Sequence, residues 1–295
     1  MTRRSGAGVV GAASRVVKLA LALSVLIDWQ PARAGDAGNG AYVARLAGCA
    51  TCHTETGKDA VPFAGGRELK TPFGSFFGPN ITPDPVHGIG RWTEADFARA
   101  LRQGVRPDGQ HYFPAFPYVA FARMSDADLA DLWAYMRSLP ASDQPNRTHA
   151  LRFPYGIRPA VLAWKLLNFH ADPMPDARRS GGVARGAYIV EALAHCGECH
   201  TPRDAMGGQI DSRAYTGGAL AEGRAPDITQ AKLGKWSDAD LKEYLASGMT
   251  PDGDFAGGEM AEVIRGATSA LTADDLAAVV AYLRTLAPRQ SATAK

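Results

Sequence analysis

Two stretches, one late in each half of the chain, share a spacing. Leu129, Leu132, Tyr135 and Met136 follow Ser125-x-x-Asp128, and Leu276, Val279, Tyr282 and Leu283 follow Thr272-x-x-Asp275. Apolar residues three and four apart align along one helix face. Ser or Thr three residues ahead of an acid resembles a capping box, with Asp in place of the usual Glu or Gln. Thr93…Asp96 and Ser237…Asp240 give two more helices the same start. Between the helices, Gly, Pro and Asn predict loops. No alternation is persuasive enough to predict a strand. The expected fold class is all-α, with short helices joined by long loops.

The starts are in register because the chain repeats itself. Gly40–Thr54 (GAYVARLAGCATCHT) aligns with Gly186–Thr201 (GAYIVEALAHCGECHT). Gly78–Thr82 (GPNIT) aligns with Ala225–Thr229 (APDIT), and Gly90–Phe97 (GRWTEADF) with Gly234–Leu241 (GKWSDADL). Such a repeat predicts two equivalent domains, placed at residues 35–140 and 183–288. Residues 141–182 belong to neither copy. Their prolines and the apolar stretch Gly156–Phe169 predict a linker with one short helix that packs on both domains, with Trp164 and Leu167 as packing residues. Residues 289–295 form a C-terminal tail.

Residues 1–34 differ from the rest. Arg3, Arg4, Arg15 and Lys18 precede an apolar run from Leu19 to Ile27, and Ala32-Arg33-Ala34 supplies small residues at a cleavage position. This is the layout of a secretory signal peptide. The run falls short of the roughly 20 residues that span a bilayer; an uncleaved anchor is the alternative. Export to the periplasm with cleavage after Ala34 is the expectation. The segment holds five of the 32 Lys/Arg and one of the 30 Asp/Glu, so the remainder carries a formal net charge of −2. Without clustered positive charge, nucleic acid is not an expected partner.

All four cysteines lie in two short motifs, Cys49-Ala-Thr-Cys52-His53 and Cys196-Gly-Glu-Cys199-His200. Cys-x-x-Cys-His is the attachment signature of c-type haem. On the first turn of a helix the two thiols reach the two vinyl groups of one porphyrin, and the following His presents its imidazole to the iron. A shared zinc site, a thioredoxin-like pair or two structural disulfides are the competing uses of Cys-x-x-Cys. None of them requires a His after each second Cys. Two covalently attached haem c groups are therefore expected, and a large rigid cofactor in each domain can replace much of the missing polypeptide core.

Further stretches carry a resemblance: Thr71–Asp84 (TPFGSFFGPNITPD), Gly88–Trp92 (GIGRW), Pro114–Tyr118 (PAFPY), His200–Gly207 (HTPRDAMG) and Gly257–Val263 (GGEMAEV). With the two haem motifs, the sequence resembles the class I cytochrome c domain used twice. More closely, it is similar to bacterial di-haem and multi-haem c-type cytochromes, including cytochrome subunits of periplasmic alcohol and aldehyde dehydrogenases. The resemblance implies an all-α fold, short helices wrapped around one haem per domain, one-electron transfer, and His53 and His200 as proximal ligands. It also implies a distal Met.

In the second domain Met260, in a glycine-rich loop after the Pro-Asp-Gly turn and before the last helix, is the expected distal ligand, with Met249 as its rival. Seven residues after the Pro-Asp-Gly turn, where the second copy has Met260, the first has Phe116, which cannot ligate. In related cytochromes a Met stands in the place of either Phe116 or Met124. That favours Met124, just before Ser125, as a relocated ligand, with Phe116 covering the haem edge. His111 as a second axial His, or an open iron, are the alternatives. Two closed Met/His sites imply an electron carrier that takes electrons from a periplasmic dehydrogenase and passes them to a small cytochrome or terminal oxidase. Membrane association would then be peripheral, through a partner. An open first site would imply a peroxidase-like enzyme, and the third expectation is a subunit of a larger dehydrogenase complex.

Overall fold

The computed structural model describes residues 35–170 and 180–289. The expected signal peptide and all but the first residue of the tail lie outside the described residues. The first half runs α1 (Ala37–Leu46), α2 (Cys49–His53), β1 (Glu68–Thr71), β2 (Gly74–Phe77), α3 (Glu94–Gln103), α4 (Tyr118–Phe121) and α5 (Asp126–Ser138). A connecting segment holds β3 (Ala150–Leu151) and α6 (Arg158–Asn168). The second half runs α7 (Gly182–Tyr188), a π turn at Ile189–Leu193, α8 (Gly197–His200), β4 (Gly218–Ala219), β5 (Arg224–Ala225), α9 (Gln230–Leu233), α10 (Asp238–Ser247), α11 (Gly258–Gly266) and α12 (Ala273–Leu283).

The chain is mostly helical, but the expectation of no strands needs correcting. β1 and β2 form an antiparallel hairpin with Thr71 opposite Gly74, and β3 adds to its edge. Pro72 and Phe73 make the turn. Thr71 Oγ1 accepts from Phe73 N at 3.1 Å and donates to Gly74 O at 2.7 Å. Four-residue strands are too short for alternation to be legible in sequence.

In each half the first long helix crosses the last at a glycine. A Cβ on Gly40 would lie 2.0 Å from Asp131 O, and one on Gly186 would lie 2.0 Å from Ala278 O. The backbones meet there with no room for a side chain. The main apolar core draws on both halves: Val43, Leu46, Leu129, Leu132 and Met136 with Tyr188, Ile189, Leu193, Val279 and Leu283. α6 touches both halves as well. Trp164 Nε1 donates to Met206 O at 3.0 Å, and Arg158 Nη1 donates to His111 O at 3.3 Å.

Two of the four expected capping boxes form. At Thr93/Asp96 and Ser237/Asp240 the hydroxyl and carboxylate bond reciprocally. At Ser125 and Thr272 the hydroxyl still caps, accepting from Asp128 N and Asp275 N at 3.1 and 3.2 Å. The carboxylates there turn elsewhere. Asp275 Oδ2 accepts from Tyr42 Oη at 2.7 Å, and Asp128 Oδ2 accepts from Tyr188 Oη at 2.6 Å. Tyr42 and Tyr188 occupy equivalent places in the repeat, as do Asp128 and Asp275. Each tyrosine therefore reaches into the opposite half, the reciprocal pattern of a two-fold contact.

Two outcomes follow from these contacts. On an ordinary helix Gly→Ala gains about 1 kcal/mol. Gly40→Ala and Gly186→Ala are instead expected to lose about 1–3 kcal/mol through overpacking, read from denaturant midpoints; a stabilised variant would refute the close crossing. The Tyr42–Asp275 clasp should also give a pH profile. Burial, then the bond to Asp275, pushes the Tyr42 hydroxyl from 10.0 up to about 12. Its contribution is complete below pH 10 and is lost as pH rises towards 12. Burial opposes ionisation of Asp275, but bonds from Arg185 and Tyr42, with the Arg185 charge, outweigh it and hold the carboxyl below its ordinary value. That contribution is lost in acid, as pH falls from the ordinary aspartate value through the lowered one. Tyr42→Phe should flatten the alkaline limb of unfolding free energy against pH.

Candidate functional site

Each Cys-x-x-Cys-His motif forms a single helical turn entered through a left-handed residue. Gly48, with φ +63°, precedes α2. Its counterpart before Cys196 is His195, held at φ +41°. A non-glycine residue there is strained, as backbone near functional sites often is. The second copy also has one more residue between its helix glycine and the first Cys. The structure absorbs it in the π turn at Ile189–Leu193, closed by Ala194 N donating to Ile189 O at 2.7 Å. A π turn is the usual way for a helix to accept one inserted residue.

The two histidines have matching second partners. His53 Nδ1 lies 2.7 Å from Pro79 O, and His200 Nδ1 lies 2.8 Å from Pro226 O. In both cases the carbonyl comes 26 residues after the His. A carbonyl can only accept, so Nδ1 carries the proton and Nε2 keeps its lone pair. Burial lowers both pKa values, against the opposing pull of those carbonyls, and favours neutral rings. This is the orientation device usual for metal-binding histidines.

The loops that return these carbonyls are built alike. Phe63 and Tyr215 are both left-handed, at φ +62° and +67°. Their amides donate to Thr54 Oγ1 and Thr201 Oγ1 at 3.1 and 3.2 Å. Gly65 N and Gly217 N donate to His53 O and His200 O, each at 2.8 Å. Ile81 N and Ile228 N close the loops on Phe63 O and Tyr215 O, each at 2.9 Å.

The thiols fit attachment rather than a metal cage. Cys49, Cys52, Cys196 and Cys199 are unbridged. Burial pushes Cys49 and Cys196 up to about 12 and Cys199 up to about 11, and raises Cys52. Among the described residues no three His, Cys, Asp or Glu side chains converge on one point. What repeats is a pair of thiols and one neutral imidazole on a single turn, the donor set for covalent haem.

Met124 is 2% exposed in the main core, directly before Ser125, the N-cap of α5. Met260 is half-buried against the same core, but not in a loop as its glycine-rich surroundings suggested; it lies in the first turn of α11. Its rival Met249 is exposed. Phe116 packs edge-on to Tyr118 and Phe121. His111 is already engaged, for Lys165 Nζ stands 3.0 Å from its Nδ1. An ammonium only donates, so Nδ1 is the acceptor in this pair. Lys165 itself is buried, donates also to Gln103 O, and stands over the rings of Tyr118 and Phe169 at 5.0 and 5.2 Å.

The family model described as cytochrome c matches residues 37–140 and 183–287. The chain belongs to the cytochrome c family. It is 46% identical over 255 residues to a diheme cytochrome c-type protein of Cereibacter sphaeroides, covering 85% of this chain and 86% of that one. It is 40% identical to the fructose dehydrogenase cytochrome subunit of Gluconobacter japonicus, across 84% of this chain and 52% of the relative. It is 37% identical to the cytochrome c subunit of the quinone alcohol dehydrogenase of Gluconobacter oxydans, across 91% of this chain and 60% of the relative. The chain thus spans between half and three fifths of the length of these two dehydrogenase subunits. It carries two covalently bound haem c groups, as the paired motifs lead one to expect.

Sequence reasoning missed Pro79 and Pro226 as partners of the histidines. Both were visible in the repeated GPNIT and APDIT segments, at one fixed distance from each His. It also missed Lys165, which nothing in the apolar pattern of its helix marks as reaching His111.

Proposed function

We propose that this chain is an exported electron carrier that accepts electrons singly from a periplasmic dehydrogenase and passes them to a small cytochrome or terminal oxidase. In this reading Cys49 and Cys52 would tether one haem, with His53 and Met124 holding its iron; Cys196 and Cys199 would tether the other, with His200 and Met260. The observation that carries the reading is the repeated imidazole, fixed on a proline carbonyl with Nε2 free. When bound, each haem supplies one-electron chemistry. The protein's part is to hold the imidazole neutral and aimed, and it would offer a thioether as the second ligand. A soft thioether favours the reduced metal and raises its potential.

The relatives named as dehydrogenase cytochrome subunits support a dehydrogenase as donor. The basic, apolar and small-residue order of residues 1–34 supports export. Docking with partners is expected to be small and transient, as in other redox encounters, and any membrane association to run through a partner.

Met124→Ala should turn the first haem high-spin in the oxidised protein and leave the second unchanged; Met260→Ala should do the reverse. Absorption and electron paramagnetic resonance spectra of the holoprotein distinguish the two. A substantial high-spin fraction in the unaltered protein would sink the closed-site carrier. Cys→Ala at Cys49, Cys52, Cys196 or Cys199 should leave one thioether per affected haem and weaken retention under denaturing conditions, measured by haem-stained electrophoresis.

A further inference from the structure

The segments that carry Met124 and Met260 are each tied down from the opposite half of the chain. Met124 sits between two such ties. Arg123 Nη1 pairs with Glu191 Oε2 at 3.1 Å, and Ser125 N donates to Tyr188 Oη at 3.0 Å. Three residues earlier, Phe121 meets the ring of His195, the residue before Cys196, at 5.5 Å between centroids. Its own half adds a bond from Arg102 Nη2 to Met124 O at 2.6 Å.

The second half mirrors this. Two residues beyond Met260, Glu262 accepts both contacts from Arg67 Nη2, at 2.9 and 3.1 Å. At the far end of α11, a Cβ on Gly266 would lie 2.8 Å from Thr51 Oγ1 of α2, so the glycine lets the two helices approach. The ties onto the Met124 segment come from the residues leading into Cys196. Those onto the Met260 segment come from the Cys49 turn and from Arg67 in the loop after it.

We propose that each distal thioether is positioned by the other domain. Tyr188 and Glu191 are positioning residues for Met124, and Arg67 is one for Met260. The physical reason is entropic: a flexible thioether holds an axial position only if its backbone is already ordered, and ordering each residue costs about 1–2 kcal/mol. Here the ordering contacts cross the interface, so ligation at one haem depends on the integrity of the opposite half. The inference rests on Met124 and Met260 being the distal ligands.

The test is made on reduced holoprotein by proton NMR, where the porphyrin ring current shifts an axial methionine methyl group far upfield. Met124→Ala and Met260→Ala assign one such signal to each haem. Tyr188→Phe and Glu191→Gln, both in the second half, should broaden or partly abolish the Met124 signal and lower the potential of the first haem, while the Met260 signal stays in place. Arg67→Gln should give the mirror image. Effects confined to the haem of the mutated half, or none with both signals intact, overturn the proposal. If an Ala variant removes no signal, the ligand assignment itself is wrong and the proposal falls with it; that failure shows in the Ala variants before any crossing variant is made.

Discussion

An imidazole can give a lone pair to a metal only from a nitrogen that does not hold its proton. This chain decides which nitrogen that is with a backbone carbonyl. His53 and His200 each give Nδ1–H to a proline carbonyl 26 residues downstream. Much of the irregular structure can be understood as what brings that carbonyl back. The left-handed Phe63 and Tyr215 reverse the chain, and Gly65 and Gly217 bond to the histidine's own carbonyl. The β1–β2 and β4–β5 hairpins take up the length between. The long loops are therefore instruments of tautomer and aim.

The second constraint lies between the halves. Asp128 and Asp275 stand where a capping box would use them, yet their side chains serve Tyr188 and Tyr42 across the interface. Each keeps its backbone N–H bonded to the cap hydroxyl, so the helix start loses only the returning bond. A cap bond of this kind contributes on the order of 1 kcal/mol. A largely buried tyrosine hydroxyl left without a partner would cost about 1–3 kcal/mol. The diversion is the favourable choice, and it explains why Asp serves at these two positions in a different way from Asp96 and Asp240.

The parts that were legible in sequence are those fixed by short spacing. The Cys-x-x-Cys-His turns, the helix starts and the apolar stripes of α5 and α12 are read within a few residues. The strands were not, because four residues with mixed exposure carry no alternation. Met260 was expected in a loop because Gly257 and Gly258 read as breakers; Gly257 instead serves as the N-cap of α11 and Gly258 as its first residue. The occupation of His111 by Lys165 depends on a helix 54 residues away in the chain, which no local pattern encodes. The crossing clasps were invisible for the same reason: Tyr42 and Tyr188 look like helix-stripe residues until the opposite half is in place.

Reciprocity of contact is what a symmetric dimer would show, but joining two copies in one chain frees them to differ. They have diverged where the symmetry can bear it. Asn39 bonds to Asp128 and Asp131 in the first half, while Arg185 at the equivalent place grips Asp275 through two nitrogens at 2.8 Å each. Gly48 is replaced by His195, whose ring then packs on Phe121 of the other half. The sulfur after the Pro-Asp-Gly turn is kept in one copy and is Phe116 in the other, where the ring packs against Phe121 and Tyr118. A homodimer must use one residue for both sides of its axis. A fused pair can give each side its own, which is how two sites with the same proximal geometry come to sit in different surroundings.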